Sequence, residues 1–288
     1  MDTIAMDTIE ANGTTIAFKR SGEGPPLLLL HGAEADHSMF HAFGALLAPH
    51  FTVIAYDQRD SGATRNPPQP YGLEELADDA AALIAALGYR RAHVFGASLG
   101  GVIAQVLAAR HAGRIDRLVL SSTFRPGASV MSINPEGFPA FAALRNRMPE
   151  SVREFAEFFV PRDYIAAHPE VLAIFTSSKR DAEQKQRRGA ILTQPIAFEP
   201  GAITAPTLVL AGGADRLIPP AHTLSLAREI TGAKTATIAG VGHIGTIQDP
   251  AAVAAEVEAF LRGDQTKEPQ NTEEDDYGDQ RGGSRHAL

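Results

Sequence analysis

The chain has 288 residues, is 44% apolar, and carries a net charge of −8 with a pI near 5.7. That much apolar residue excludes disorder throughout, and the acidic balance argues against nucleic acid or an anionic membrane as the main partner. No cysteine is present, which removes disulfides, thiolate metal sites and thiol catalysis from consideration.

The N-terminal "MDTIAMDTIE" lacks a basic region followed by a long apolar core, so no signal peptide is read there. With no apolar run near 20 residues, a soluble cytoplasmic protein is the default expectation. Strand-like runs follow at Thr15 to Lys19, Pro26 to His31, Thr52 to Tyr56, Ala92 to Phe95, Leu118 to Ser121, Thr207 to Ala211 and Thr235 to Ile238. Helical patterns lie between them at Leu73 to Leu87, Leu99 to Arg110, Pro220 to Ile230 and Pro250 to Leu261. Strand and helix in alternation predict an α/β fold with a mostly parallel sheet covered on both faces. Between Thr123 and Thr204 the rhythm stops, and prolines, phenylalanines and helical fragments predict a helical insertion shaped as a lid. From Gly263 onward large apolar residues almost vanish and about half the net charge is concentrated, which reads as a disordered acidic tail.

The chemistry is carried by "VFGASLGG". It places Gly96, Ser98 and Gly100 in a G-x-S-x-G pattern after a strand and at the opening of a helix. Such a turn holds the serine above the sheet, with the Leu99 amide at a helix N-terminus beside it. A serine hydroxyl needs a base, and the base an orienting acid. His243 in "AGVGHIG" is the candidate base. Asp215, just past "PTLVLAG", is the candidate acid. "LLLLHGAEAD" ends a strand at His31 and supplies Gly32 and the backbone amide of Ala33 as a second oxyanion donor, with His31 shaping the turn.

With these parts in the order Ser, Asp, His, residues 9 to 262 resemble the α/β-hydrolase superfamily. In "YDQRDSGAT", Asp57, Arg59 and Gly62 resemble a D-x-R-G-x-G-x-S turn found in many members. Asp60 stands for its first glycine and Thr64 for its serine. The resemblance implies an eight-stranded, mostly parallel sheet flanked by helices, with a helical cap over the site. It divides the chain into a flexible N-terminus (1–8), a core (9–122 and 205–262), a cap (123–204) and the tail (263–288). It also implies ester-like hydrolysis through an acyl-serine, with no metal or cofactor and a small-molecule ester or lactone as substrate. Carbon–carbon bond hydrolysis of a dienoate or diketone, and a slow-turnover ligand sensor on the same fold, are the alternatives.

Other residues have plainer readings. His37 and His41 lack the glutamate of H-E-x-x-H and read as solvated or capping histidines, so no metal site is expected. Glu34 and Asp36 have two readings: solvent exposure, or a pocket mouth favouring neutral or cationic ligands. Arg59 and Asp57 read as a turn pair. Lys179, Arg180, Lys185, Arg187 and Arg188 read as a wet helix face. Phe138, Phe141, Phe155, Phe158, Phe159 and Phe175 read mostly as packing.

Overall fold

The computed structural model describes residues 6–176 and 180–263. Eight strands form one sheet: β1 (Asp7–Ala11), β2 (Thr14–Ser21), β3 (Pro26–Leu30), β4 (Thr52–Tyr56), β5 (Ala92–Ala97), β6 (Ile115–Ser121), β7 (Thr207–Gly212) and β8 (Lys234–Ile238). Their order is β1-β2-β4-β3-β5-β6-β7-β8, with β3 to β8 parallel to one another and β2 antiparallel to β1 and β4.

β1 begins at Asp7, so the terminus expected to be flexible through residue 8 is already paired at Asp7 and Thr8. Asn12 and Gly13, both at positive φ, form the two-residue turn that closes this hairpin. The acidic tail beyond Gly263, Lys179 and the first five residues lie outside the described residues.

β3 explains the layering. Leu27 and Leu29 pack with Phe43 and Leu47 of helix His41–Leu47 and with Val253 and Val257 of helix Pro250–Arg262. Leu28 and Leu30 pack on the opposite face with Leu76 and Ala80 of helix Leu73–Ala86 and with Val102 and Val106 of helix Leu99–Arg110. Alternating side chains therefore bury the strand on both faces, which is why it reads as a continuous leucine run.

Between β6 and β7 the described residues form helices and turns only. Phe141, Phe155, Phe158, Phe159 and Phe175 stack within this insertion, with ring centroids 4.7–5.9 Å apart. No described helix is long and apolar enough to cross a membrane.

Candidate active site

β5 delivers Ser98 at φ +53°, ψ −122°, a left-handed conformation that costs a non-glycine residue free energy and persists where neighbours enforce it. Here the enforcement is close packing. A Cβ on Gly96 would lie 2.4 Å from the Gly100 carbonyl oxygen, and one on Gly100 would lie 2.0 Å from the Leu30 carbonyl oxygen. Only glycine fits either position. The Ser98 amide donates to the Ser121 carbonyl at 3.0 Å, and its own carbonyl accepts from Thr123 Oγ1 at 2.7 Å.

Asp215 and His243 lie in the loops after β7 and β8. The Gly213 amide donates to Ile238 and the Ala214 amide to Val241, each at 2.8 Å, which ties the two loops together. Asp215 Oδ1 accepts from the Leu217 and Ile218 amides at 2.9 Å. Its Oδ2 faces His243 Nδ1 at 2.8 Å, with both side chains almost fully buried. The His243 amide donates to the Phe159 carbonyl of the insertion at 2.7 Å, and the two rings meet edge-on with centroids 5.6 Å apart. The structure thus joins acid and imidazole directly. Ser98 sits at the same carboxyl edge of the sheet, and no hydrogen bond joins its Oγ to His243 among the described residues.

The turn after β3 approaches from the other side. A Cβ on Gly32 would lie 3.5 Å from Ser98 Cβ and 4.0 Å from its Oγ. The amides of Ala33 and Leu99 make no backbone hydrogen bond among the described residues. His31 is buried, with Nδ1 2.8 Å from the Gly32 carbonyl oxygen and Nε2 accepting from the Gln58 amide at 3.2 Å. Those partners require the neutral Nδ1–H tautomer. Burial, and then the Arg188 guanidinium, push its pKa down to about 3, which keeps the ring neutral.

Several plainer readings need correction. Arg59 pairs with Asp79, Nε to Oδ2 at 2.6 Å, and not with Asp57. Asp57 instead accepts from the His37 amide and faces His37 Nδ1, both at 2.8 Å, because Gly62 turns back close enough for the Ala63 amide to reach its other oxygen. His37 is therefore held by a buried carboxylate and is not solvated, while His41 is exposed. One ligand atom each from Asp36, His37 and Asp57 falls within 4.8 Å of the others.

Arg180, Arg187 and Arg188 are not a wet face either. Arg187 makes a bidentate pair with Asp60 (2.7 and 2.8 Å), and Arg180 reaches the Asp60 and Ala35 carbonyls at 2.6 and 2.9 Å. Arg188 is buried against Gln58, while Lys185 stays exposed. Asp60, standing where the resembled turn has glycine, has a positive φ of +55°. Burial would raise its pKa, but Arg187 and Tyr71 hold it below the usual range.

Glu34 and Asp36 line a cavity of about 390 Å³ together with Ser38, Met39, Arg180 and Thr246. Glu34 is exposed, as its first reading expected, lines this cavity, and is answered by Arg145 and Arg180 at 2.7 and 3.2 Å. Another cavity, of about 360 Å³ beside Tyr71 and Arg187, includes none of the candidate site residues.

Residues 25–250 match the family model described as the alpha/beta hydrolase fold. The chain belongs to the α/β-hydrolase family. This α/β-hydrolase is 32% identical to a putative carbamate hydrolase, RutD, of Variovorax paradoxus (strain S110), over 68% of this chain and 76% of that one. Among solved structures, the enol-lactonase of Burkholderia xenovorans LB400 superposes with a TM-score of 0.75 at 28% identity, covering 89% of this chain and all of that one. Est816, an N-acyl homoserine lactone degrading enzyme, gives 0.76 at 27%, covering 88% of this chain and all of that one.

Proposed function

We propose that this α/β-hydrolase is a serine hydrolase of small or medium neutral carboxylic esters or lactones, acting through an acyl-serine. The observation that carries this reading is the buried Asp215–His243 pair at the sheet edge that also presents Ser98 in its left-handed turn. Ser98 is the nucleophile. His243 takes its proton, and Asp215 fixes the tautomer by accepting from Nδ1–H and stabilises the imidazolium that forms. The Ser98–His243 hydrogen bond closes on the way to the reacting complex; catalytic hydrogen bonds are commonly long in its absence. The negative charge developing on the carbonyl oxygen is met by the amides of Ala33 and Leu99, the second of which opens a helix. Water activated by His243 then releases the acid.

The residues of the insertion act here as a cap, with Phe159 against His243 and the phenylalanine cluster behind it forming an apolar wall. Two solved neighbours are named for lactone substrates, which supports lactones beside open-chain esters. The carbon–carbon alternative draws on cap arginines to hold a substrate carboxylate, but Arg180 and Arg187 are already engaged by core oxygens.

A panel of p-nitrophenyl esters of increasing chain length, aliphatic lactones, a p-nitrophenyl carbamate and a dienoate ring-fission product tests the reading. Turnover of esters or lactones, lost in a folded Ser98→Ala variant, is the expected outcome. Dienoate cleavage alone, or ester turnover that survives Ser98→Ala, contradicts it.

A further inference from the structure

We propose, resting on the function above, that Arg188 is a positioning residue: it reaches from the cap, through Gln58 and through the adjoining Ala33 carbonyl, to fix the Gly32–Ala33 peptide whose N–H is the oxyanion donor. Arg188 is buried, yet no carboxylate lies within ion-pair distance of it among the described residues, and its Nε–H has no partner. Burial, and then repulsion from Arg180, lower its pKa to about 10, which still leaves it charged at neutral pH. Tyr71 and, beyond contact distance, Glu34 favour the charge, but a desolvated cation with no carboxylate against it breaks a local rule, and such exceptions gather at functional sites.

Its contacts indicate the use. Nη1 and Nη2 both donate to Gln58 Oε1 at 3.1 Å, and Nη2 also reaches the Ala33 carbonyl at 3.3 Å. A guanidinium only donates, so Gln58 must turn its oxygen toward Arg188 and its amide nitrogen toward the His31 carbonyl, which it meets at 2.9 Å. The Gln58 main-chain amide meanwhile donates to His31 Nε2, leaving Nδ1–H for the Gly32 carbonyl. In a trans peptide the carbonyl and the following N–H point in opposite directions, so fixing Gly32 C=O aims the Ala33 N–H. Arg188 grips the next carbonyl along. Helix Ala182–Ala190 therefore sets the oxyanion donor through two routes, and an undocked cap leaves that donor loose.

The test compares Arg188→Met, Arg188→Lys and, as a control on the exposed side of the same helix, Lys185→Met on an uncharged p-nitrophenyl ester. The second readout is affinity for a trifluoromethyl ketone, whose adduct on Ser98 carries an oxyanion. Loss of an oxyanion donor typically costs about 10²–10³-fold in kcat. Arg188→Met is expected to lower kcat by about 100-fold with KM changed less than about 3-fold, and to weaken ketone binding in parallel. Arg188→Lys keeps the charge without the fork and recovers about 10-fold of that loss. Lys185→Met leaves ketone affinity within about 3-fold of wild type. Wild-type kcat and ketone affinity in Arg188→Met overturn the proposal, as does a loss confined to carboxylate-bearing substrates, which would make Arg188 a substrate anchor. If Arg188→Met does not fold, wild-type behaviour in Arg188→Lys overturns it equally. A wild-type protein inert to every ester and lactone contradicts the proposed function instead. The coupling is then read without turnover, from the Ala33 amide and His31 ring nitrogen resonances, which must move in Arg188→Lys; unmoved resonances overturn it.

Discussion

His31 shows how one buried side chain makes a conformation depend on pH. Its two nitrogens are committed to opposite roles, one donating to Gly32 and one accepting from Gln58, so a second ring proton would meet a donor. With its folded pKa near 3 and an unfolded value near 6.5, the unfolded chain binds the proton over that interval and the native state does not. The sign follows: this contribution is complete above pH 6.5 and is lost as pH falls through the folded value. Urea unfolding should lose stability at up to about 1.4 kcal/mol per pH unit across the window, and His31→Gln should lose correspondingly less. Superimposable pH profiles for the two proteins would show that His31 is not held neutral.

At the scale of elements, the docking of helix Ala182–Ala190 onto the Asp57–Gly62 turn is the contact the sequence concealed. Its two arginines, Arg187 and Arg188, read as a solvated face because their partners, Gln58, Asp60 and the carbonyl of Ala33, lie more than a hundred positions away. One signal was visible in hindsight: a carboxylate at a position resembling a family glycine, Asp60, needs a reason to bear its positive φ. Asp60→Asn tolerates the same backbone but loses the charge opposite Arg187. It is expected to lower stability by about 1–3 kcal/mol. Hydrogen exchange in Ala182–Ala190 should accelerate, while Leu99–Arg110 stays protected. Exchange that rises equally in both helices would assign Asp60 to the core and not to the docking of the cap. β1 was missed for a different reason. Its polar, edge-exposed pattern carries little hydrophobic signal, although the Asn12-Gly13 turn marked the hairpin.

Across the whole molecule, what could be read from the chain is what backbone geometry imposes locally. Gly96 and Gly100 betray the elbow because backbone from β3 and from the helix passes within a Cβ's reach, and "LLLLHG" betrays a strand buried on both faces. The order of Ser98, Asp215 and His243 was equally legible, since each follows a strand that the sequence predicts. Contacts between segments distant in sequence were not, and they include the Phe159 carbonyl on His243 and the Arg188–Gln58–His31 chain. On the function proposed above, these loops converge to activate one hydroxyl out of all those in the chain. Treating the folded protein with a fluorophosphonate and mapping the adduct by peptide mass spectrometry tests it most directly. One phosphonyl group per chain on Ser98, abolished by His243→Ala in a folded variant, is the predicted result; an adduct on any other residue, or labelling indifferent to His243, contradicts the account.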